Sequence, residues 1–121
     1  MFGGIVIKGD GMGKKLGFPT ANLAISISET GLAAGVYAAQ AFLNQKKCRS
    51  ALAIQEKLKK VEVHLLDYTG PDFYGEYVAV EPGEKVSEMC EVSSVEELRK
   101  KIAEDIKKIL IISNSPNSPN F

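Results

Sequence analysis

The segment with the clearest chemical potential is GDGMGKKLGFPTAN, at residues 9–22. Its alternate glycines, Gly9, Gly11 and Gly13, let the backbone turn sharply and present N–H groups that suit phosphate oxygens. The spacing does not fit the P-loop, because no Gly-Lys-Ser/Thr follows. It also does not fit the dinucleotide-binding fingerprint, which requires Gly-x-Gly-x-x-Gly at the start of a helix. For the glycines alone, a flexible hairpin explains the pattern as well as a phosphate-binding loop does.

Two oxygen-bearing side chains, Thr20 and Asn22, strengthen the functional interpretation of this segment. Pro19 fixes the backbone just before them. In an extended chain, side chains two residues apart point the same way. Magnesium bound together with a nucleotide takes few protein ligands, so two uncharged oxygens can suffice. Thr20 and Asn22 therefore predict a site for a magnesium–nucleotide complex.

A second candidate lies in VEVHLLD, at residues 61–67. Glu62 and His64 alternate there with apolar residues, which predicts a strand that carries both polar side chains on one face. From the residues alone, an exposed strand glutamate is the more common explanation of Glu62, and His64 can be an ordinary polar neighbour without a catalytic role.

The elements expected to position these residues are mostly strands. Short apolar runs bounded by turn residues predict strands at 4–9, 35–43, 50–54, 61–67 and 76–81. Five or six short strands without intervening helices favour an antiparallel sheet or a closed barrel, because parallel pairing needs long crossovers. The charged segment QEKLKK, at 55–60, could continue either flanking strand or form one turn of helix.

A helix is predicted to follow the strands. Ser94 and Glu97 have the spacing of a capping box. Apolar residues then recur every three or four positions, which predicts one stripe that closes the core, at Val95, Leu98, Ile102, Ile106 and Ile109. Residues 1–112 are expected to form one domain. The tail at 113–121 repeats Asn-Ser-Pro and is expected to be disordered.

Composition narrows the class of protein. The 121 residues carry 15 basic and 15 acidic side chains, with two cysteines and one histidine. The balanced charge argues against nucleic acid as the main partner. The cysteines are too few for a disulfide scaffold, which favours a reduced, cytoplasmic location. No signal peptide and no apolar run of about 20 residues is found, so no membrane association is expected. A monomeric domain that binds a small ligand is predicted.

Four segments together resemble a known family. GDGMGKKLGFPTANL, GVYAA, VEVHLLDYTGPDFYGEYVAV and VSSVEELRKKIAEDI are similar to the riboflavin kinases of the bacterial and eukaryotic type, over about residues 4–107. The resemblance implies a β-dominated fold, a small six-stranded antiparallel split barrel with one C-terminal α-helix. It also implies transfer of the γ-phosphoryl group of ATP to the 5′-hydroxyl of riboflavin, which gives FMN and ADP with Mg²⁺ as cofactor.

The same resemblance implies roles for individual residues. Thr20 and Asn22 match the positions that hold the magnesium–nucleotide complex. The loop Gly9–Lys15 matches the loop that covers the phosphates, with Lys14 at a position often filled by arginine. Glu62 matches the glutamate assigned as catalytic base.

The match is less complete on the flavin side. Asp72, Phe73 and Tyr74 match a loop near the ligands and are candidates for flavin binding. The family's Asn-Ile-Gly and Pro-Thr stretch is missing between GVYAA and VEVHLLD. Its Leu-Arg pair before the helix, in a region that contacts the flavin, is missing as well. With a single histidine the chain also lacks the His-x-Gly-His motif of the adenylylating domain. A flavin- or nucleotide-binding module with weak or no kinase activity is the alternative.

Overall fold

Six strands and one long helix make up the computed structural model, which describes residues 1–8, 19–56, 59–88 and 94–114. A single 3-10 turn, Ile27–Thr30, follows the second strand. The strands are β1 Phe2–Ile7, β2 Thr20–Leu23, β3 Gly35–Leu43, β4 Lys46–Gln55, β5 Lys60–Leu65 and β6 Tyr77–Ser87, and the helix is α1 Val95–Asn114.

The strands close into a barrel in the order β1-β2-β5-β4-β3-β6, and every neighbouring pair is antiparallel. The predicted six-stranded antiparallel barrel with a C-terminal helix is therefore confirmed. β2 supplies the sixth strand, from the segment that the sequence had marked only for its chemistry. β5 lies between β2 and β4 and therefore pairs directly with the segment Thr20–Leu23.

Alternation along the strands separates the two faces of the barrel wall. The interior is filled by apolar side chains such as Leu52, Ile54, Val63, Leu65 and Val78, all of them fully buried. Residues between these positions face outward. Polar groups on the outer face are therefore held on a wall whose other side is a packed hydrophobic core.

The helix packs on the outer face of the barrel. Ile106 and Ile109 are buried there against Val36, Ala38 and Ala51. The small alanines let the helix approach the sheet closely. At its start, the Glu97 N–H donates to Ser94 Oγ at 3.2 Å, as the predicted cap requires. The side chains of Val95, Leu98 and Ile102, the other members of the predicted stripe, lie outside the described residues.

Several strand bounds differ from the predictions. The strand predicted at 50–54 begins at Lys46, because Asn44 and Gln45 both adopt positive φ and form a two-residue hairpin turn. The strand predicted at 76–81 continues through Pro82 to Ser87, and its pairing with β3 is irregular just beyond that proline.

The remaining bounds shift by a few residues. The first strand is Phe2–Ile7 and not 4–9, because Phe2 already pairs with Val80 of β6. In the ambiguous segment 55–60, Gln55 ends β4 and Lys60 begins β5. The helix ends at Asn114, so the first two residues of the tail predicted at 113–121 are helical. Residues 115–121 lie outside the described part, and their expected disorder stays a prediction.

An ion pair fixes the end of β5 against β4. The Arg49 side chain donates from Nε to Asp67 Oδ2 at 2.9 Å and from Nη2 to Oδ1 at 2.8 Å, and the Arg49 backbone N–H donates to Oδ2 at 3.0 Å. The hydrogen bond from the Arg49 side chain lowers the pKa of Asp67. This contact holds the chain in place just beyond His64. No helix among the described residues is both long and apolar enough to span a membrane.

Candidate active site

The register between β2 and β5 brings the two predicted sites together. Thr20 lies opposite His64, and Asn22 lies opposite Glu62. Ala21 and Val63, between them, point into the barrel core. The four polar side chains therefore share the outer face, as the spacing within each segment predicted.

The polar side chains form a connected row on that face. Thr20 Oγ1 and His64 Nδ1 are 2.9 Å apart, a hydrogen-bond distance. On the other side of the ring, His64 Nε2 lies 3.8 Å from Glu62 Oε2. The Lys60 ammonium lies 4.0 Å from Glu62 Oε1, so a positive charge stands beside the carboxylate.

Glu62 is only 5% exposed, which contradicts the expectation of an exposed strand glutamate. Its strand pairs on both sides, so Asn22 flanks Glu62 on one side and Ala53 flanks it on the other. A carboxylate that is nearly buried on a rigid central strand is costly unless it is paired or used. The position is thus better suited to chemistry than to solvation of the surface.

His64 is 2% exposed and neutral at neutral pH. Burial lowers the pKa of the ring to about 4, even though the Glu62 carboxylate lies 3.8 Å away. Its Nε2 has no hydrogen-bond partner among the residues that the structure describes. The sequence showed that His64 shares a face with Glu62, but it gave no sign of the contact with Thr20, which depends on strand register.

Thr20 and Asn22 fit a magnesium ion that is shared with a nucleotide. Both are half-buried on the outer face and offer a hydroxyl and an amide oxygen, the hard donors that Mg²⁺ prefers. No cluster of three or more His, Cys, Asp or Glu side chains in the described ranges could hold a metal by itself. A cation here would thus need phosphate oxygens and water as its other ligands.

The glycine-rich loop leads directly into this row. Its predicted phosphate-binding residues, Gly9, Gly11, Gly13, Lys14 and Lys15, lie outside the described residues. The end of the segment is described, because the Leu65 N–H donates to the Pro19 carbonyl at 2.9 Å. The chain that leaves the loop is therefore tied to β5 next to His64.

The loop with the flavin candidates is fastened to β1. Gly75 N–H donates to the Val6 carbonyl at 2.8 Å, which places this end of the loop on β1, the strand next to β2. Phe73 is buried in the barrel core and packs edge-on against Tyr68, with ring centroids 5.1 Å apart. Asp72 and Tyr74 are exposed. Of the three candidates, Phe73 therefore has a structural role in the core.

A groove that the motifs did not reveal runs between β6 and the helix. Its cavity volume is about 310 Å³, at the lower end of the range for small-molecule sites. Aliphatic side chains and two lysines supply most of the wall. The lining residues are Glu84, Lys85, Val86, Lys108, Ile111 and Ile112.

Comparison with known proteins places this geometry in a family. The family model described as "Flavokinase: Riboflavin kinase" matches residues 1–112. The chain belongs to the riboflavin kinase family. The RNA-binding riboflavin kinase RibR of Bacillus subtilis is 36% identical over 110 residues, which cover 85% of this chain and 46% of that protein.

Bifunctional riboflavin kinase/FMN adenylyltransferases are also similar. The Escherichia coli K12 protein is 32% identical, with 84% of this chain and 34% of that protein covered. The Haemophilus influenzae protein is 29% identical, with 93% and 38% covered. The chain thus spans less than half the length of these relatives.

Solved structures share the fold. Riboflavin kinase from Trypanosoma brucei superposes with a TM-score of 0.67 at 24% identity, covering 95% of this chain and 80% of that one. A structure titled macrolide-efflux protein, from Streptococcus pneumoniae, superposes with a TM-score of 0.70 at 25% identity, covering 90% and 36%. The barrel with its C-terminal helix therefore also occurs in a protein that is not named as a riboflavin kinase.

Proposed function

We propose that this chain is a riboflavin kinase domain that transfers the γ-phosphoryl group of ATP to the 5′-hydroxyl of riboflavin, giving FMN and ADP. The observation that carries the proposal is the pairing of Asn22 with Glu62 across β2 and β5, with Thr20 on the same face. A candidate metal-binding pair and a nearly buried carboxylate thus stand side by side, as a phosphoryl transfer to a hydroxyl requires.

In this proposal Glu62 accepts the proton of the 5′-hydroxyl as the oxygen attacks the γ-phosphorus, and ADP leaves from the opposite side. Thr20 and Asn22 orient the nucleotide by holding its cation. Magnesium, when bound, neutralises charge on the phosphate oxygens. Backbone N–H groups of Gly9, Gly11 and Gly13 cover the phosphates. The family resemblance supports this role.

The remaining parts of the proposal concern the ligands and partners. Lys14 and Lys15 add positive charge near the phosphates. The groove beside Val86 is the proposed seat of the flavin ring, since it is partly apolar and lies in the segment where the family contacts flavin. Asp72 and Tyr74 are exposed and are proposed as further contacts for the flavin.

We also propose that the domain is monomeric and cytoplasmic and that nucleic acid is not its main partner. The last point is supported by the balance of 15 basic and 15 acidic residues, which gives no excess positive charge for a phosphate backbone. One relative is named for RNA binding, so a direct measurement with RNA is the appropriate check of that part.

The purified chain, incubated with riboflavin, Mg²⁺ and ATP, is expected to form FMN and no FAD, because it lacks a His-x-Gly-His motif. Products are separated by chromatography, with CTP in place of ATP to define the donor and EDTA as the control without metal. Flavin or nucleotide binding without any FMN would support the binding-module alternative. Formation of FAD would show that the proposed reaction is incomplete.

Substitution of Asn22 by Ala is expected to weaken magnesium-dependent ADP binding by about tenfold or more, since one of two protein oxygens is lost. The free energy of unfolding should change by less than about 0.5 kcal/mol, because Asn22 is only half-buried. Calorimetry with ADP, with and without Mg²⁺, measures the effect. Ser28→Ala, which removes an exposed polar group beyond β2, is the matched control. Equal affinity in Asn22→Ala and Ser28→Ala would remove Asn22 from the metal site.

A further inference from the structure

His64 has no role in the phosphoryl transfer described above, yet it is buried between two residues that do. Its Nδ1 lies 2.9 Å from Thr20 Oγ1, and its Nε2 lies 3.8 Å from Glu62 Oε2. Ala51, its neighbour on the other strand, offers only a methyl group. The two ring nitrogens therefore face the candidate metal ligand and the candidate base.

We propose that His64 is a positioning residue that joins Thr20 and Glu62, with its proton on Nε2 and its Nδ1 accepting a hydrogen bond from the Thr20 hydroxyl. Its expected effect on turnover rests on the proposed function, whereas the position of its proton does not.

The position of the proton follows from the chemistry of the neighbours. A neutral imidazole has one N–H donor and one acceptor nitrogen, and an ionised carboxylate only accepts. The nitrogen that faces Glu62 must then carry the proton, because the other tautomer would direct a lone pair at the carboxylate oxygens. Nδ1 is left as an acceptor, and the Thr20 hydroxyl is the donor within reach.

This arrangement determines what Thr20 and Glu62 can do. In this arrangement Thr20 gives its hydroxyl proton to the ring, so the lone pairs of Oγ1 are turned away from His64, toward the side on which the cation is proposed to bind. The N–H of the ring points toward one Glu62 oxygen at 3.8 Å, which is longer than a hydrogen bond, and the proposal is that this contact shortens during catalysis. Catalytic contacts of this kind often shorten only when substrates are bound.

Nitrogen NMR tests the proton position directly, because the chain has a single histidine and its ring signals need no assignment. In the free protein at neutral pH, Nε2 is expected to give the signal of a protonated nitrogen and Nδ1 that of an unprotonated acceptor. Thr20→Val should shift the Nδ1 signal, since the hydroxyl donor is removed. Protonation at Nδ1, or a spectrum unchanged by Thr20→Val, would overturn the proposal.

Two substitutions separate positioning from a purely structural role. In His64→Asn, the amide occupies the place of Nδ1 and can still accept from Thr20. In His64→Gln, the amide reaches the place of Nε2 and can still donate to Glu62. We expect His64→Asn to lower kcat by about 10–100-fold while magnesium–ADP affinity is kept, and His64→Gln to weaken that affinity by a similar factor.

Controls keep the outcomes apart. Gln40→Leu removes another buried polar side chain on the outer face. It should leave both kcat and the affinity for magnesium–ADP unchanged. Thermal unfolding of each variant verifies that it folds. If both His64 variants change kcat and affinity alike, or not at all, the positioning role is wrong. If the parent protein forms no FMN, the proposed function fails, and the NMR result and the ADP affinities still decide the arrangement around His64.

Discussion

Replacement of Glu62 by Gln is expected to lower the rate of FMN formation by about 10²–10⁴-fold while riboflavin and magnesium–ATP still bind. A primary alcohol is a poor nucleophile at neutral pH, and a positioned base typically contributes a factor of this size. Glutamine has nearly the shape of glutamate but cannot accept the proton. The loss should therefore lie in kcat, with little change in the affinity for either substrate.

The location of Glu62 supports this expectation. The side chain is 5% exposed and lies opposite Asn22, next to the candidate cation site. A strand that is paired on both sides holds its side chains rigidly. A base needs this rigidity to meet a hydroxyl at about 3 Å.

The matched control is Glu81→Gln, which makes the same chemical change on β6 at an exposed position. It should leave the rate of FMN formation unchanged. Steady-state rates are measured beside the affinities for riboflavin and for magnesium–ADP in both variants. Full activity of Glu62→Gln would remove the glutamate from the mechanism, and loss of binding would assign it to the substrate site instead.

Local patterns in the sequence were enough for five of the six strands, for the helix and for the faces of the strands, whereas β2 was not predicted as a strand. Alternation in VEVHLLD predicted that Glu62 and His64 share a face, and a spacing of two predicted the same for Thr20 and Asn22. The cap at Ser94 was also correct. Each of these features depends on residues that are near one another in the chain. The local sequence is therefore sufficient to predict them.

Features that depend on pairing between distant strands could not be predicted. The contact of Thr20 with His64 joins residues 44 positions apart and follows from the register of β2 and β5. A shift of that register by one residue would send one set of side chains into the core. The burial of Glu62 has the same origin, because it depends on the pairing of β5 with β2 on one side and with β4 on the other.

Strand ends were wrong where the turn was tighter than assumed or where an irregularity was tolerated. The sequence predicted no strand between residues 43 and 50, but two residues with positive φ suffice for the turn, so pairing resumes at Lys46. The strand was predicted to end at residue 81, yet β6 continues past Pro82 beside an irregular section of β3.

The stability of the fold is expected to decrease as the pH falls from about 6.5 to about 4, by about 3 kcal/mol through His64 alone. Burial lowers the pKa of this ring from 6.5 to about 4 in the folded protein. Between these values the unfolded chain binds a proton that the folded chain excludes, so acid favours unfolding. Each unit of difference in pKa corresponds to about 1.36 kcal/mol, and the contribution is complete above the unfolded pKa.

Urea unfolding of the parent and of His64→Gln, at pH 7 and at pH 4, isolates this contribution. Glutamine does not titrate, so the free energy of unfolding of the variant should depend less on pH, by about 3 kcal/mol over this interval. Carboxylates titrate in both proteins, and their effect cancels in the comparison as long as it does not depend on His64. Equal pH dependence in the two proteins would show that the folded ring takes up its proton as readily as the unfolded one, and His64 would then not be a neutral, buried group in this site.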